Sequence, residues 1–441
     1  MDESDDASCE ALLHRLRPPF WSSGVRAATC GGQYALCCFS PRSGRLENDV
    51  NHTTDARRSQ PASNEVVRDI NRRIVLNLIR KRQPISRADL ERLSGMQRST
   101  ISVIIEELLE EHWVLEGTTG RLPRGRRPIF LHLNNDRVII AVDIRPMQTT
   151  VALSDVNGKF TSQHVIDTPA DPKIAMNVLI KCIQPIIRSS AGKKIEGIGI
   201  TLPGRFNHSL DRLTFAPNLK WGEFDIRKPL VSATGLEVEL ENAANACVLA
   251  AVWFDHMESC RNMVVVTVSE GIGTGIMMNG HLVRGLNGMA GEFGHVTLDP
   301  DGPECTCGGR GCWEVFASNR AAMRYYLEST SHHPSLSFQN LLSLADQGDV
   351  RAGKALDTMA HYLGRGMRMI VAGLAPERIL VIGDLTRSWR RFGPIIETEV
   401  QEQIFPGGVA PRVIPVHEDG MARLRGAVAL VLQKHFREVA V

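Results

Sequence analysis

Two stretches of this chain follow one plan: a buried strand, a second strand, an Asn-Gly turn, a third strand, then helical sequence. The first copy reads Val138–Ile144, Thr149–Asp155, Asn157-Gly158 and a strand near Gln163–Asp167. The second reads Met263–Val268, Gly275–Asn279, Asn279-Gly280 and His281–Arg284. Apolar runs bounded by turn dipeptides are strand and hairpin signals, and their recurrence indicates an internal duplication. The chain from residue 134 onward is therefore expected to be α/β. An ordinary doubly wound sheet satisfies the same periodicity, so the pattern alone leaves that option open.

The duplicated plan resembles the two-lobed actin-like ATPase fold shared by sugar kinases and chaperone ATPases. At 441 residues the chain has room for two or three domains. A formal charge of +2 requires any nucleic-acid contact to come from a local basic patch. No apolar run reaches the roughly 18–20 residues needed to cross a bilayer, so no membrane partner is expected. The N-terminus lacks a charged segment followed by an apolar one, and a cytoplasmic location with reduced thiols is expected. Residues 1–63 have no sustained period and scatter four of the ten cysteines among Pro, Ser, Gly, Asn and Arg. They read as a disordered N-terminal extension without a function of their own.

From Asn64 the texture changes. Val66, Val67, Ile70, Ile74, Leu76, Leu78 and Ile79 recur at helical spacing and stop before Pro84. Ser86-Arg-Ala-Asp89 is a capping box, with Asp in place of Glu, that opens a short helix ending near Leu93. After Gly95, a third helix over Arg98–Glu111 turns Ile101, Ile104, Ile105, Leu108 and Leu109 inward. Trp113–Glu116 and Ile129–Leu133 read as strands around an Arg-Gly-Pro loop. Residues 64–133 thus predict a winged helix-turn-helix, with a three-helix bundle used for protein contacts as the alternative. The outward N-terminal end of the third helix carries Gln97, Arg98, Ser99, Thr100 and Ser102, all able to meet base edges or phosphate in a major groove. Between Gly117 and Leu133 there are four arginines, Arg121, Arg124, Arg126 and Arg127, and no acid. Pro123-Arg-Gly-Arg-Arg-Pro128 resembles the AT-hook, whose arginines lie along a narrow A·T-rich minor groove. Arg124, Arg126 and Arg127 join the helix residues as DNA-contact candidates.

Further on, Val265–Arg284, Gly288-Met-Ala-Gly-Glu-Phe-Gly-His295 and Cys305-Thr-Cys-Gly-Gly-Arg-Gly-Cys312 resemble the signature of the ROK family of repressors and sugar kinases. With a winged helix in front, the chain resembles its repressor branch. The likeness covers about residues 65–435 and implies a two-lobed sugar-binding domain over 134–441.

A kinase of this family would need three features that are altered here. The Asp-x-Gly-Gly-Thr-Lys phosphate loop reads Asp143-Ile-Arg-Pro-Met-Gln, and Pro146 has no N–H to offer a phosphate. The adenosine loop reads Val381-Ile-Gly-Asp-Leu, with Asp384 in a glycine's place. The Glu-Asn-Asp-Ala-Asn motif reads Glu241-Asn-Ala-Ala-Asn245, so Ala243 replaces the proton-accepting carboxylate. Ser269-Glu-Gly-Ile-Gly-Thr-Gly275 keeps the look of a phosphate loop, and a structural turn reads the same way. No enzymatic activity is expected.

The resemblance places sugar contacts at Asn218, Asn242, Glu292, His295 and Glu314, amide, carboxylate and imidazole groups suited to vicinal hydroxyls. His295, Cys305, Cys307 and Cys312 supply the four N/S ligands of a closed tetrahedral zinc site, and a Cys-x-Cys redox pair is the alternative. One ring nitrogen of His295 on zinc leaves the other for the sugar. Together these features predict a DNA-binding repressor of carbohydrate metabolism, a homodimer or homotetramer on a palindromic double-stranded operator. A sugar or sugar phosphate would modulate operator binding. A sugar kinase with a DNA-binding head is one rival, and a regulator controlled by a protein partner is another.

Overall fold

The computed structural model describes residues 64–119, 128–207, 212–255, 257, 259–330, 336–402, 407–416 and 421–436. The expectations for residues 1–63 and for Arg121, Arg124, Arg126 and Arg127 lie outside the described residues.

Helix α1 (Asn64–Arg82), strand β1 (Ile85–Ser86), helices α2 (Arg87–Ser94) and α3 (Arg98–Glu110), and strands β2 (Val114–Thr119) and β3 (Ile129–Leu133) form the N-terminal unit. Its small sheet has the order β1-β3-β2 with antiparallel pairing. The capping box forms as the sequence specifies: Ser86 Oγ accepts from the Asp89 N–H (3.2 Å) and Asp89 Oδ2 accepts from the Ser86 N–H (3.3 Å). Gly95 ends α2 at φ +70°, a left-handed cap that costs glycine little. On α3 the buried side chains are Ile101, Ile104, Ile105 and Leu108. Leu109 is only partly buried, at the edge of that core. Trp113 falls before β2 rather than in it; its buried ring lies beneath Arg137, whose guanidinium is 3.8 Å from the ring centroid.

Then come β4 (Arg137–Ile144), β5 (Gln148–Asp155), β6 (Phe160–Asp167), α4 (Pro172–Ser189), β7 (Lys194–Leu202), β8 (Arg205–Asn207), β9 (Arg212–Phe215), α5 (Arg227–Thr234), β10 (Val238–Asn242) and α6 (Ala243–Phe254). The second half follows with β11 (Met263–Val268), β12 (Ile272–Met278), β13 (His281–Leu282), α7 (Trp313–Ala317), α8 (Asn319–Glu328), α9 (Phe338–Asp346) and α10 (Val350–Leu374). It closes with β14 (Arg378–Ile382), α11 (Trp389–Gln401), β15 (Arg412–Val416) and α12 (Ala422–Phe436).

The two large sheets have the orders β10-β7-β4-β5-β6 and β13-β12-β11-β14-β15. In both, the first strand pairs antiparallel with the second and parallel with the fourth, and the fifth strand runs parallel outside the fourth. The duplication read from the strand plan is thus a duplication of topology. The two Asn-Gly pairs nevertheless turn differently. Asn279 (φ 54°) and Gly280 (φ 81°) make the tight two-residue turn that joins β12 to β13. At Asn157-Gly158 only the glycine is left-handed, because Asp155 Oδ1 accepts from the N–H groups of Asn157 and Lys159 (both 2.9 Å) and organises the loop itself.

The last helix does not stay with the second half. α12 lies on the first sheet, and its Val428, Val431 and Phe436 share one core with Ile139 and Ala141 of β4 and with Leu76, Ile79 and Ile105 of the N-terminal helices. Burial of each such side chain contributes about 1.5–3 kcal/mol relative to exposure, so this core joins the N-terminal unit firmly to the first half. Among the described residues, no helix is long and apolar enough to cross a membrane.

Candidate functional site

The loops after β7, β10 and β11 converge with the segment from Glu292 to Glu314 on one cleft. Asn218, Asn242, Glu292, His295 and Glu314 all line it, together with Gly204, Arg205, Ala243, Thr267, Ser269, Gly271, Cys307 and Arg423. The five expected ligand-contact residues, far apart in sequence, therefore meet in one place.

Their individual duties differ. Asn242 is the N-cap of α6: its Oδ1 accepts from the Ala244 N–H (2.8 Å) and its Nδ2 donates to the Gly204 carbonyl (2.8 Å). It orients the loop wall and leaves one amide hydrogen and one lone pair for a ligand. Glu292 is half-buried and accepts from Arg205 Nε at 3.2 Å. Glu314, at the start of α7, is buried, with Oε2 at 3.4 Å from the Ile272 N–H and Oε1 at 3.0 Å from Cys305 Sγ. Ala243 is buried in the cleft wall with no group to accept a proton.

Beside the cleft, the Asp143 carboxylate is met by two guanidinium groups and a hydroxyl. Arg145 Nε donates to Asp143 Oδ2 at 2.6 Å, Thr201 Oγ1 donates to Asp143 Oδ1 at 3.2 Å, and Arg423 Nη1 lies 3.9 Å from the same carboxylate. A carboxylate held in this way is occupied by the chain's own guanidinium groups. Asp384 is likewise engaged, accepting from Gln339 Nε2 at 3.1 Å. Two glycines of 269–275, Gly273 and Gly275, lie in β12 and are closely packed. A Cβ at Gly275 would overlap the Ala244 carbonyl, one at Gly273 would overlap the Thr267 hydroxyl, and one at Gly271 the Glu314 carboxylate. Close packing accounts for Gly273 and Gly275, which belong to β12, while Gly271 lines the cleft.

The thiol cluster lies against the same wall. The ligand atoms of His295, Cys305, Cys307 and Cys312 lie within 4.8 Å of one another. His295 Nδ1 is 3.6 Å from Cys305 Sγ, and Cys307 Sγ is 3.7 Å from Cys312 Sγ. A disulfide would need about 2.05 Å between sulfurs. A tetrahedral ion with bonds of about 2.3 Å to sulfur and about 2.05 Å to nitrogen has S–S and N–S edges of about 3.8 and 3.6 Å. The residues present therefore fit a small tetrahedral metal ion. Gly311, at φ +57°, passes so close to the Asp299 carbonyl that a Cβ would overlap it, which lets the loop close around the thiols. Burial pushes the Cys305 and Cys312 thiols up. At Cys307 burial acts the same way but is outweighed by hydrogen bonds from the Gly309 N–H and the neighbouring thiols, so its thiol is lowered. His295 Nε2 faces the other way, 3.7 Å from Glu292 Oε2, so the ring bridges the thiol cluster and the cleft.

On the N-terminal unit, Gln97, Arg98 and Ser99 are exposed, and Thr100 and Ser102 are half-buried, at the start of α3. Glu107 and Glu111 toward its far end are paired with Arg68 and Arg72 of α1. Sequence reasoning missed Arg145, Arg205 and Arg423. Arg145 was visible in the altered loop after Asp143, whereas nothing in the local sequence around Arg423 marks it as a cleft residue.

An α/β fold of two sheets with one topology, with a polar cleft beside a Cys3His cluster, is of the sugar-kinase-like class. The model of the ROK family matches residues 139–434, and this chain belongs to that family. The xylose repressor of Bacillus spizizenii is 30% identical over 385 residues, covering 86% of this chain and 98% of the repressor. The glucokinase of Thermotoga maritima is 30% identical over 313 residues, covering 67% of this chain and 98% of the enzyme. Among solved structures, a ROK family transcriptional regulator, a homologue of the E. coli MLC protein, superposes with a TM-score of 0.73 at 25% identity, covering 84% of this chain and 98% of that one. A Streptomyces griseus ROK glucokinase in complex with glucose and AMPPNP gives 0.61 at 26% identity, covering 67% and 99%.

Proposed function

We propose that this chain is a sugar-responsive transcriptional repressor. Its N-terminal unit binds operator DNA as a winged helix-turn-helix, and its kinase-like part has been retained as an effector pocket. One observation carries this reading: likeness to the xylose repressor extends over 98% of that protein, while the glucokinases align fully with only about two thirds of this chain. The exposed polar end of α3 lies outside residues 139–434, the part that the family model matches. Ala243 and the Arg145–Asp143 pair support the loss of phosphoryl transfer. A sugar or sugar phosphate is the expected effector, held by Asn218, Asn242, Glu292, His295 and Glu314. Zinc on His295, Cys305, Cys307 and Cys312 would be structural, fixing the His295 ring so that Nε2 faces the ligand. A homodimer would place two α3 helices on a palindrome, with Arg124, Arg126 and Arg127 reaching the flanking minor groove.

Titration calorimetry against a panel including D-xylose and D-glucose, with and without an operator duplex selected from a random pool, tests this function. Arg98 gives a sharper test of the DNA face. A good base contact contributes about 1–3 kcal/mol of discrimination, whereas a phosphate contact weakens all sequences alike. Arg98→Ala should relax operator preference at one or two positions in a repeated selection. A uniform loss of affinity with unchanged preference would make Arg98 a phosphate contact.

A further inference from the structure

The cleft and the N-terminal unit lie at opposite ends of the same two helices. α6 starts at the cleft with Asn242 as its cap, and ends at Trp253 and Phe254. α12 starts beside the cleft with Arg423 in its wall, and ends at Phe436. At 1.5 Å per residue, their 12 and 15 residues span about 18 and 22 Å. The helices touch backbone to backbone, since a Cβ at Gly426 would overlap the Ala246 carbonyl. Contact this close leaves little slack between them.

The final carbonyls of a helix have no partner within it and must find donors elsewhere. Here one face of α1 supplies donors to both helices. Asn77 Nδ2 donates to the Phe436 carbonyl at 2.6 Å, and Arg80 Nη1 donates to the Trp253 carbonyl at 2.9 Å. Positions 77 and 80 are three residues apart and so share a face of α1. The Arg80 guanidinium also lies 4.4 Å over the Trp253 ring, a cation at the negative end of α6. Trp253 in turn meets Phe436 edge to face at 5.4 Å, and Phe436 meets Trp113 at 5.6 Å. α1 itself backs α3, with Leu76 and Ile79 in the same core as Ile101 and Ile105.

We propose that Asn77 and Arg80 are positioning residues that report the state of the cleft to the DNA-facing helix. The proposal rests on the reading of the cleft as an effector site and of α3 as a DNA reader. Movement of Asn242 or Arg423 as the cleft fills shifts α6 and α12 along their lengths. The two capped carbonyls then carry α1, and with it α3. A merely structural role for the caps predicts a looser N-terminal unit but no link between distant sites.

The test measures operator affinity by fluorescence anisotropy, using full-length protein and the palindromic duplex that the wild type enriches from a random pool. Wild type, Arg423→Ala, Arg80→Ala and the double variant are compared. Independent distant sites combine multiplicatively to within about two-fold. Arg423→Ala should shift operator affinity about five-fold or more in the wild-type background and less than about two-fold with Arg80→Ala. An Arg423→Ala without effect, or a multiplicative combination, overturns the relay. Arg80→Lys, which keeps a donor for the Trp253 carbonyl, should restore the link, and failure of this rescue in a cooperatively melting protein also counts against it. Asn77→Leu, of similar size and without the donor, gives a second route if Arg80→Ala fails to fold, with the same expected loss of the Arg423 effect. With D-xylose as titrant, wild-type release of about five-fold or more should fall below about two-fold in Arg80→Ala at unchanged D-xylose affinity for the free protein. Equal release by both proteins overturns the relay. If no sugar of the panel releases the wild type, the effector reading fails, while the double-variant comparison still decides the relay.

Discussion

Cys307→Ser should lower bound zinc from about one ion per chain to a small fraction, and the melting temperature should fall with it. A ligand bound only by the folded state stabilises it by about 2.7 kcal/mol at a hundred times its dissociation constant. At about 2–4 °C per kcal/mol for domains of this size, the expected loss is about 5–10 °C. Chelation of the wild type should give a similar decrease. The reason is local. The 3.7 Å spacing of Cys307 and Cys312 and the 3.6 Å spacing of His295 and Cys305 match the edges of a tetrahedron around a small ion. Emission spectrometry alongside calorimetry makes the comparison, and full occupancy in Cys307→Ser would show that the fourth ligand is another residue.

The second large effect concerns phosphoryl transfer. A positioned general base is worth about 10²–10⁴ in rate, and the family resemblance would place that base at residue 243, which is Ala here. A coupled assay with ATP and a hexose panel should show no turnover above a zinc-only blank. Restoring the carboxylate with Ala243→Asp should not produce a kinase, because the Arg145 guanidinium remains on Asp143 and Pro146 still lacks an N–H. Turnover in the wild type that is abolished by Glu292→Ala would overturn this conclusion.

Much of the architecture was legible because it is written locally. The capping box at Ser86 and Asp89, the left-handed Gly95 and the β4–β5 and β11–β12 strand pairs depend on residues within a few positions of one another. The cysteine cluster was legible for the same reason, since three ligands lie between 305 and 312. What the sequence could not disclose is long-range placement. Nothing between Ala422 and Phe436 says that α12 crosses to the first sheet, or that Arg423 will stand beside Asp143. That placement follows from Gly426 meeting Ala246 and Gly199 meeting Ala427, contacts between small residues distant in the chain. The stretch 269–275 misleads in the opposite direction, because β12 begins at Ile272 rather than at Gly275. Gly273 and Gly275 look like phosphate binders, but they lie in β12, where a Cβ would overlap Thr267 of β11 or the Ala244 carbonyl of α6.

The central claim is that a sugar in the cleft controls DNA binding, and linkage makes it measurable from either end. Titration calorimetry of the effective sugar into operator-free and operator-bound protein compares the two dissociation constants directly. Free protein should bind about 5–150-fold more tightly, for a coupling of about 1–3 kcal/mol, and the same factor should appear as weakened operator affinity. Glu292→Ala should still bind operator and lose its release by sugar. Equal dissociation constants with and without operator, or normal release in Glu292→Ala, would contradict the claim and leave the cleft a remnant of kinase ancestry.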